Sequence, residues 1–212
     1  MRKKLLILFF VSLGLTSLAF SQTMLHPKFS FVGIHGFSEP NRHLFENKID
    51  AEAWFVTEPA LMFSIETLIY DEILSLSFMP GFYNDAVSKP ALFFAVSLKM
   101  RLFQSWRNSM YVSAGGSILG RERWETIHGY VYERGFKANG SWEYNVGPFA
   151  ELEYVLMLNE RNDLSFSTIF GHQQRTFTFS VGYRFWLSTI IKHPKKCGNC
   201  PFIKIDNKHK KY

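Results

Sequence analysis

The stretch TFTFSVGYRFW, residues 176 to 186, decides the fold. Phe177, Phe179, Val181, Tyr183 and Phe185 fall on one face of a strand, opposite Thr176, Thr178, Ser180, Gly182 and Arg184, because successive strand side chains point to opposite sides. In a soluble sandwich the apolar face must find a second sheet. In a membrane barrel it faces lipid. The rest of the sequence separates these two readings.

Toward the N-terminus the same two-residue period recurs. LSFSTIFG (164–171) alternates Leu164, Phe166, Thr168 and Phe170 with Ser165, Ser167, Ile169 and Gly171. Pro148, Ala150, Leu152, Tyr154 and Leu156 oppose Phe149, Glu151, Glu153 and Val155. Two glutamates on an inner face are foreign to an oily core and ordinary in a barrel lumen. Further segments at 110–119, 93–102, 73–80 and 61–68 alternate in the same way. A first strand, KFSFVGIHGF (28–37), is the least regular, with apolar groups on both faces.

This makes eight strands. Short turns are expected at 70–72, 104–109 and 159–163, and long connections at 38–58, 80–90 and 120–141; the short linker at 171–175 is the exception. Alternating short and long connections indicate an all-β, eight-stranded antiparallel transmembrane β-barrel with short periplasmic turns and longer extracellular loops. A soluble lipocalin-like barrel also has eight strands, but its outward face should be polar. Here the polar face of each late strand suits the inside of a narrow barrel.

The ends and the composition agree. MRKK, the apolar run LLILFFVSLGL and the small residues Ala19 and Ser21 read as a signal peptide over 1–21, the apolar run being shorter than the roughly 20 residues of a spanning helix. The expected barrel occupies 22–186 and a basic periplasmic tail 187–212. The 22 Phe, 9 Tyr and 5 Trp suit a lipid-facing surface with aromatic belts. Net charge is +6 over the whole chain. Arg2, Lys3 and Lys4 lie in the leader, and seven Lys and one Asp lie beyond Trp186, so residues 22–186 stand at −3. No nucleic-acid surface is expected.

SWEYNVGPFAELEYVL and FTFSVGYRF resemble the small outer-membrane barrels of the OmpA-barrel and OmpX-like kind, especially those of Bacteroidota. The resemblance covers residues 28 to 186 and implies architecture rather than activity. It implies that a terminal aromatic residue, here Phe185, helps the assembly machinery recognise the last strand. The chain departs from the pattern by continuing past Phe185.

Inward-pointing Glu66, Glu151 and Glu153 are expected to pair with Lys99, Arg101 and Arg184, since buried charges need partners. This set reads as a structural plug, with a gated narrow pore or binding cavity as the sharper alternative. A lipid A-modifying enzyme would need a Ser–His–acid arrangement, for which His35, His172 and Ser167 are the candidates. The compact His-x-Ser pattern associated with such deacylases is missing, as His35 precedes Gly36-Phe37 and His172 precedes Gln173-Gln174. Trp142 and Tyr144 suit an outer aromatic belt.

In the tail, Cys197 and Cys200 suit a local disulfide or free thiols, a metal site with His193 and His209, or redox chemistry. No catalytic residue, cofactor or metal ligand is assigned. The expected partners are outer-membrane lipid and lipopolysaccharide, and a periplasmic or envelope protein reached through the tail. The expected state is a monomer. Its expected role is structural or accessory, in envelope integrity, surface contact or assembly.

Overall fold

Strand alternation becomes a single closed sheet. A computed structural model describes residues 23–36, 39–70, 73–133, 135–159, 161–171 and 176–187. The strands are β1 (Thr23–His35), β2 (Phe55–Tyr70), β3 (Leu74–Asn84), β4 (Pro90–Ser105), β5 (Asn108–Glu122), a three-residue β6 (Lys137–Asn139), β7 (Trp142–Met157), β8 (Asn162–Gly171) and β9 (Thr176–Trp186). Each long strand pairs antiparallel with the next, β5 pairs directly with β7, and β9 pairs back onto β1. The eight long strands form a barrel, and β6 adds a hairpin to the start of β7.

The polarity is inside out. On β9, Phe177, Phe179, Val181 and Phe185 face outward, Phe179 with 52% of its surface exposed, while Thr176, Ser180 and Arg184 are buried. On β2, Leu61, Phe63 and Ile65 are exposed and Met62, Ser64 and Glu66 buried. Arg121, Arg184, Lys28 and Lys99 are among the most completely buried large side chains. A water-soluble fold would reverse this arrangement. Lipid explains it, because hydrocarbon covers the apolar faces and closure pairs the backbone groups that no water reaches.

One end of the barrel carries the connections 36–54, 85–89, 123–141 and 172–175; the other carries 71–73, 106–107 and 158–161. The end with the longer loops is the extracellular one by the usual asymmetry. The connection expected over 80–90 is much shorter, because β3 runs on through Pro80 and Gly81 to Asn84. Pro80 has no N–H to donate, and the β2–β3 ladder passes from Ile65↔Phe78 to Met62↔Gly81 without a rung at that residue. The break in one ladder leaves the β3–β4 pairing intact, with Pro80 opposite Phe94.

The irregular first strand has a physical cause. Register shifts between Ser30 and Val32 against both neighbours: Phe31 is an extra residue against β9, while against β2 the same step runs from Ala60 to Thr57. A bulge of this kind resets which side chains face which way. Phe29 and Phe31 are both exposed, and the inward set runs His26, Lys28 and Ser30, then Gly33 and His35. The expected leader over 1–21 and the expected tail beyond Leu187, with Cys197, Cys200, His193 and His209, lie outside the described residues, as does His172.

Candidate functional site

Strand parity aims seven ionisable side chains at the middle of the lumen. Lys28 and His26 come from β1, Glu66 from β2, Lys99 from β4, Glu151 and Glu153 from β7, and Arg184 from β9. All are buried. Lys28 Nζ donates to Glu151 and lies 3.3 Å from Glu153 Oε1. Lys99 Nζ donates to Glu66 Oε1 at 2.7 Å and is paired with Glu153 as well. Arg184 donates to Glu66 Oε2 at 3.2 Å and lies over the Tyr111 ring, 4.9 Å from its centroid.

His26 completes the layer. Its Nε2 is 2.6 Å from Ser165 Oγ and 3.5 Å from Glu153 Oε1, and its Nδ1 is 3.2 Å from Glu66 Oε1. Gly182 makes this fit: a Cβ there would sit 2.4 Å from His26 Nε2. Three carboxylates thus meet three permanent cations, so the layer is neutral without an added ion. His26, Glu66 and Glu153 lie close enough together to suggest a metal site. Lys28, Lys99 and Arg184 already supply the positive charge there, and a divalent ion would have to displace them.

The expected pairing is therefore right in kind and corrected in one member. Glu66, Glu151, Glu153, Lys99 and Arg184 are enclosed, whereas Arg101 is only half-buried, next to the register shift between Arg101 and Phe103 near the short-turn end. Lys28 is the third cation of the layer. Its bulged strand hid its orientation in the sequence. Of the residues considered for lipid chemistry, Ser167 hydrogen-bonds Ser180 at 2.6 Å inside the lumen, and His35 also faces inward, 3.3 Å from Glu58. Neither addresses the lipid face.

At the extracellular end the loops fold over the barrel as a cap. Phe45, Ala53, Val56, Ala86, Val87 and Trp124 form a second small core, with Leu44, Ile127 and Tyr130 against it. Polar bonds fix the loops to one another. Trp124 Nε1 donates to Asp85 Oδ2 at 2.6 Å. Asn41 donates to the Val131 carbonyl at 2.9 Å and to Glu133 Oε1 at 2.6 Å, and accepts from the Val131 N–H at 2.7 Å. Arg121 donates to Glu133 at 2.9 Å and Glu143 at 2.6 Å, with its guanidinium 3.7 Å from the Trp124 ring centroid. Trp142 and Tyr144 lie outward on β7, as a belt requires.

Two cap carboxyls hold protons unusually well. Burial and the neighbouring Glu133 push Glu39 up to about 8, and burial raises Asp85 to about 6 despite the N–H groups donated to it.

No family model matches the chain, and no curated protein matches it. Solved structures similar to it include Neisserial surface protein A, with 10% identity, 78% of this chain and 96% of that one covered, and a TM-score of 0.48. Another is the N-terminal β-barrel domain of OprF from Pseudomonas aeruginosa, with 13% identity, coverage of 79% and 99%, and a TM-score of 0.45. A third is the attachment invasion locus protein Ail of Yersinia pestis bound to sucrose octasulfate, with 12% identity, coverage of 78% and 97%, and a TM-score of 0.40. The closed sheet, the lipid-facing exterior and the charged interior define this chain as a small eight-stranded transmembrane β-barrel. It is an outer-membrane protein.

Replacing Glu153 by Gln leaves Lys28 and Lys99 short of a buried counter-charge and should cost about 3–5 kcal/mol. Urea titration of the protein in lipid vesicles measures this, and Lys99→Met added to Glu153→Gln should recover part of the loss. The cap has its own signature. Glu39 and Asp85 bind protons more tightly folded than unfolded, so their contribution is complete below about 4. It is lost as pH rises through about 6 and then about 8. After correction for intrinsic exchange, protection of the Val131 amide should fall between pH 5 and 8, and Glu39→Gln should flatten that fall.

Proposed function

We propose that this protein is a plugged, monomeric barrel whose work is done at its surfaces: support of the envelope by the lipid-facing wall, and contact with the exterior through the loop cap. One observation carries this reading, the neutral and fully buried layer of Glu66, Glu151, Glu153, Lys28, Lys99 and Arg184 across the lumen. In an eight-stranded barrel side chains just fill the interior. Opening the layer to water would separate buried charges that are paired with one another, which favours a plug over a pathway.

On this reading the partners are outer-membrane lipid and lipopolysaccharide around the wall. A periplasmic or envelope protein is engaged through the lysines of 187–212, and nucleic acid is not a partner. The seven lysines beyond Leu187 support an electrostatic contact of that kind.

A narrow channel is the second reading. It is favoured by the hydroxyl pairs on the inner wall, Ser64 with Ser77 at 2.8 Å and Ser167 with Ser180 at 2.6 Å, which would line a polar path if the charged layer rearranged. Planar-bilayer recording of the purified full chain separates the two. The plugged barrel should give no discrete conductance steps. Reproducible steps whose size changes in Glu153→Gln would establish the channel instead.

A further inference from the structure

Between the charged layer and the loop cap the lumen holds a chamber of about 70 Å3, lined by Glu58, Met62, Phe93, Leu119, Ile169 and Thr178 among others. Its wall is largely apolar, with Met62 and Ile169 belonging to a buried cluster that includes Met79, Ala95 and Phe149. One group is out of keeping with it. Glu58 is 5% exposed, and its Oε1 has no hydrogen-bond partner among the described residues.

This carboxylate is built in rather than stranded by chance. Gly33 on β1 leaves the space it occupies, for a Cβ there would lie 1.9 Å from Glu58 Oε2. The register shift at Phe31 turns Gly33 and His35 inward beside it. His35 Nε2 stands 3.3 Å from Glu58 Oε2 without a hydrogen-bonding angle, and neither of its ring nitrogens has a hydrogen-bond partner among the described residues. The Phe45 ring closes over His35, 4.6 Å between centroids.

A buried carboxylate whose near neighbour His35 gives it no hydrogen bond is costly, and such groups are normally met by a cation or by hydrogen-bond donors. Water is a poor solution here. The chamber has room for roughly five water molecules at ~10–15 Å3 each, but each needs two to four polar partners, and beyond Glu58, Tyr83, Thr176 and Thr178 the wall has no polar side chain. A metal ion is a poor solution too, since one carboxylate and one imidazole are too few ligands. An anion would be repelled. A molecule with one positive end and an apolar body fits both the charge and the wall.

We propose that the chamber is a binding site for a small alkylammonium ion. Its ammonium group donates to Glu58, and its body, about four carbons long, lies against Met62, Phe93, Leu119 and Ile169. The ring of Phe93 offers the cation a second favourable contact. This goes beyond a role confined to the barrel's surfaces and does not depend on whether the barrel conducts.

The full chain, labelled with 13C at the methionine methyl groups and reconstituted in lipid nanodiscs, provides the test, with the Met62 signal assigned through Met62→Leu. Titration with n-butylammonium chloride should shift that signal saturably, whereas n-butanol and butyrate at equal concentration should not. Glu58→Gln should weaken the response about tenfold or more, as loss of a charge-assisted hydrogen bond predicts. Leu119→Phe, which fills the chamber with an apolar group, should abolish it. A shift that rises linearly with all three compounds, or equal affinity in the wild type and Glu58→Gln, would overturn the proposal.

Discussion

Everything in this molecule follows from one constraint: a sheet that lies in hydrocarbon has no water to satisfy an open edge. Each unpaired backbone group there costs several kcal/mol, so β9 must return to β1, from Met24↔Trp186 to His35↔Thr176. Closure then dictates polarity. The outer face can be as apolar as Phe179 and Val181 make it, and the polar residues have nowhere to go but inside. The lumen of eight strands is narrow, so whatever charge enters must be neutralised locally.

The interior therefore does the work that an apolar core does in a soluble protein, by different means. Ion pairs cross-link strands far apart in sequence: Lys28 on β1 reaches Glu151 on β7, and Arg184 on β9 reaches Glu66 on β2. Such pairs gain little over well-packed apolar groups of the same size. Their value lies in mutual dependence, because removing one leaves a charge with no escape to water. The cap uses the opposite chemistry, a small apolar cluster around Trp124 and Phe45 tied by Asn41 and Asp85. Between the two lies the chamber of Glu58, where neither solution is complete.

Much of the barrel was legible as a period of two. The late strands read directly, since in 176–186 and 164–171 each side chain's identity announces its side. The first strand did not, because the bulge at Phe31 breaks the period, and with it went the orientation of Lys28 and His26. Arg101 passed for an interior cation because the register shift beside it cannot be seen in a list of residues. Pro80 and Gly81 looked like the start of a loop, yet the β3–β4 pairing carries the chain past them. The cap was not legible at all. Its bonds join residues such as Asn41 and Val131, about 90 positions apart, and no local pattern encodes that meeting.

The central claim is a closed barrel in lipid, and the migration of the protein from isolated outer membranes on SDS gels, with and without boiling, tests it most directly. A closed barrel should resist SDS at room temperature and change its mobility only on boiling, in a band that stays with the outer-membrane fraction after a salt wash. A protein released by salt, with the same mobility in both lanes, would contradict the account and return Phe177, Phe179 and Phe185 to the core of a soluble fold.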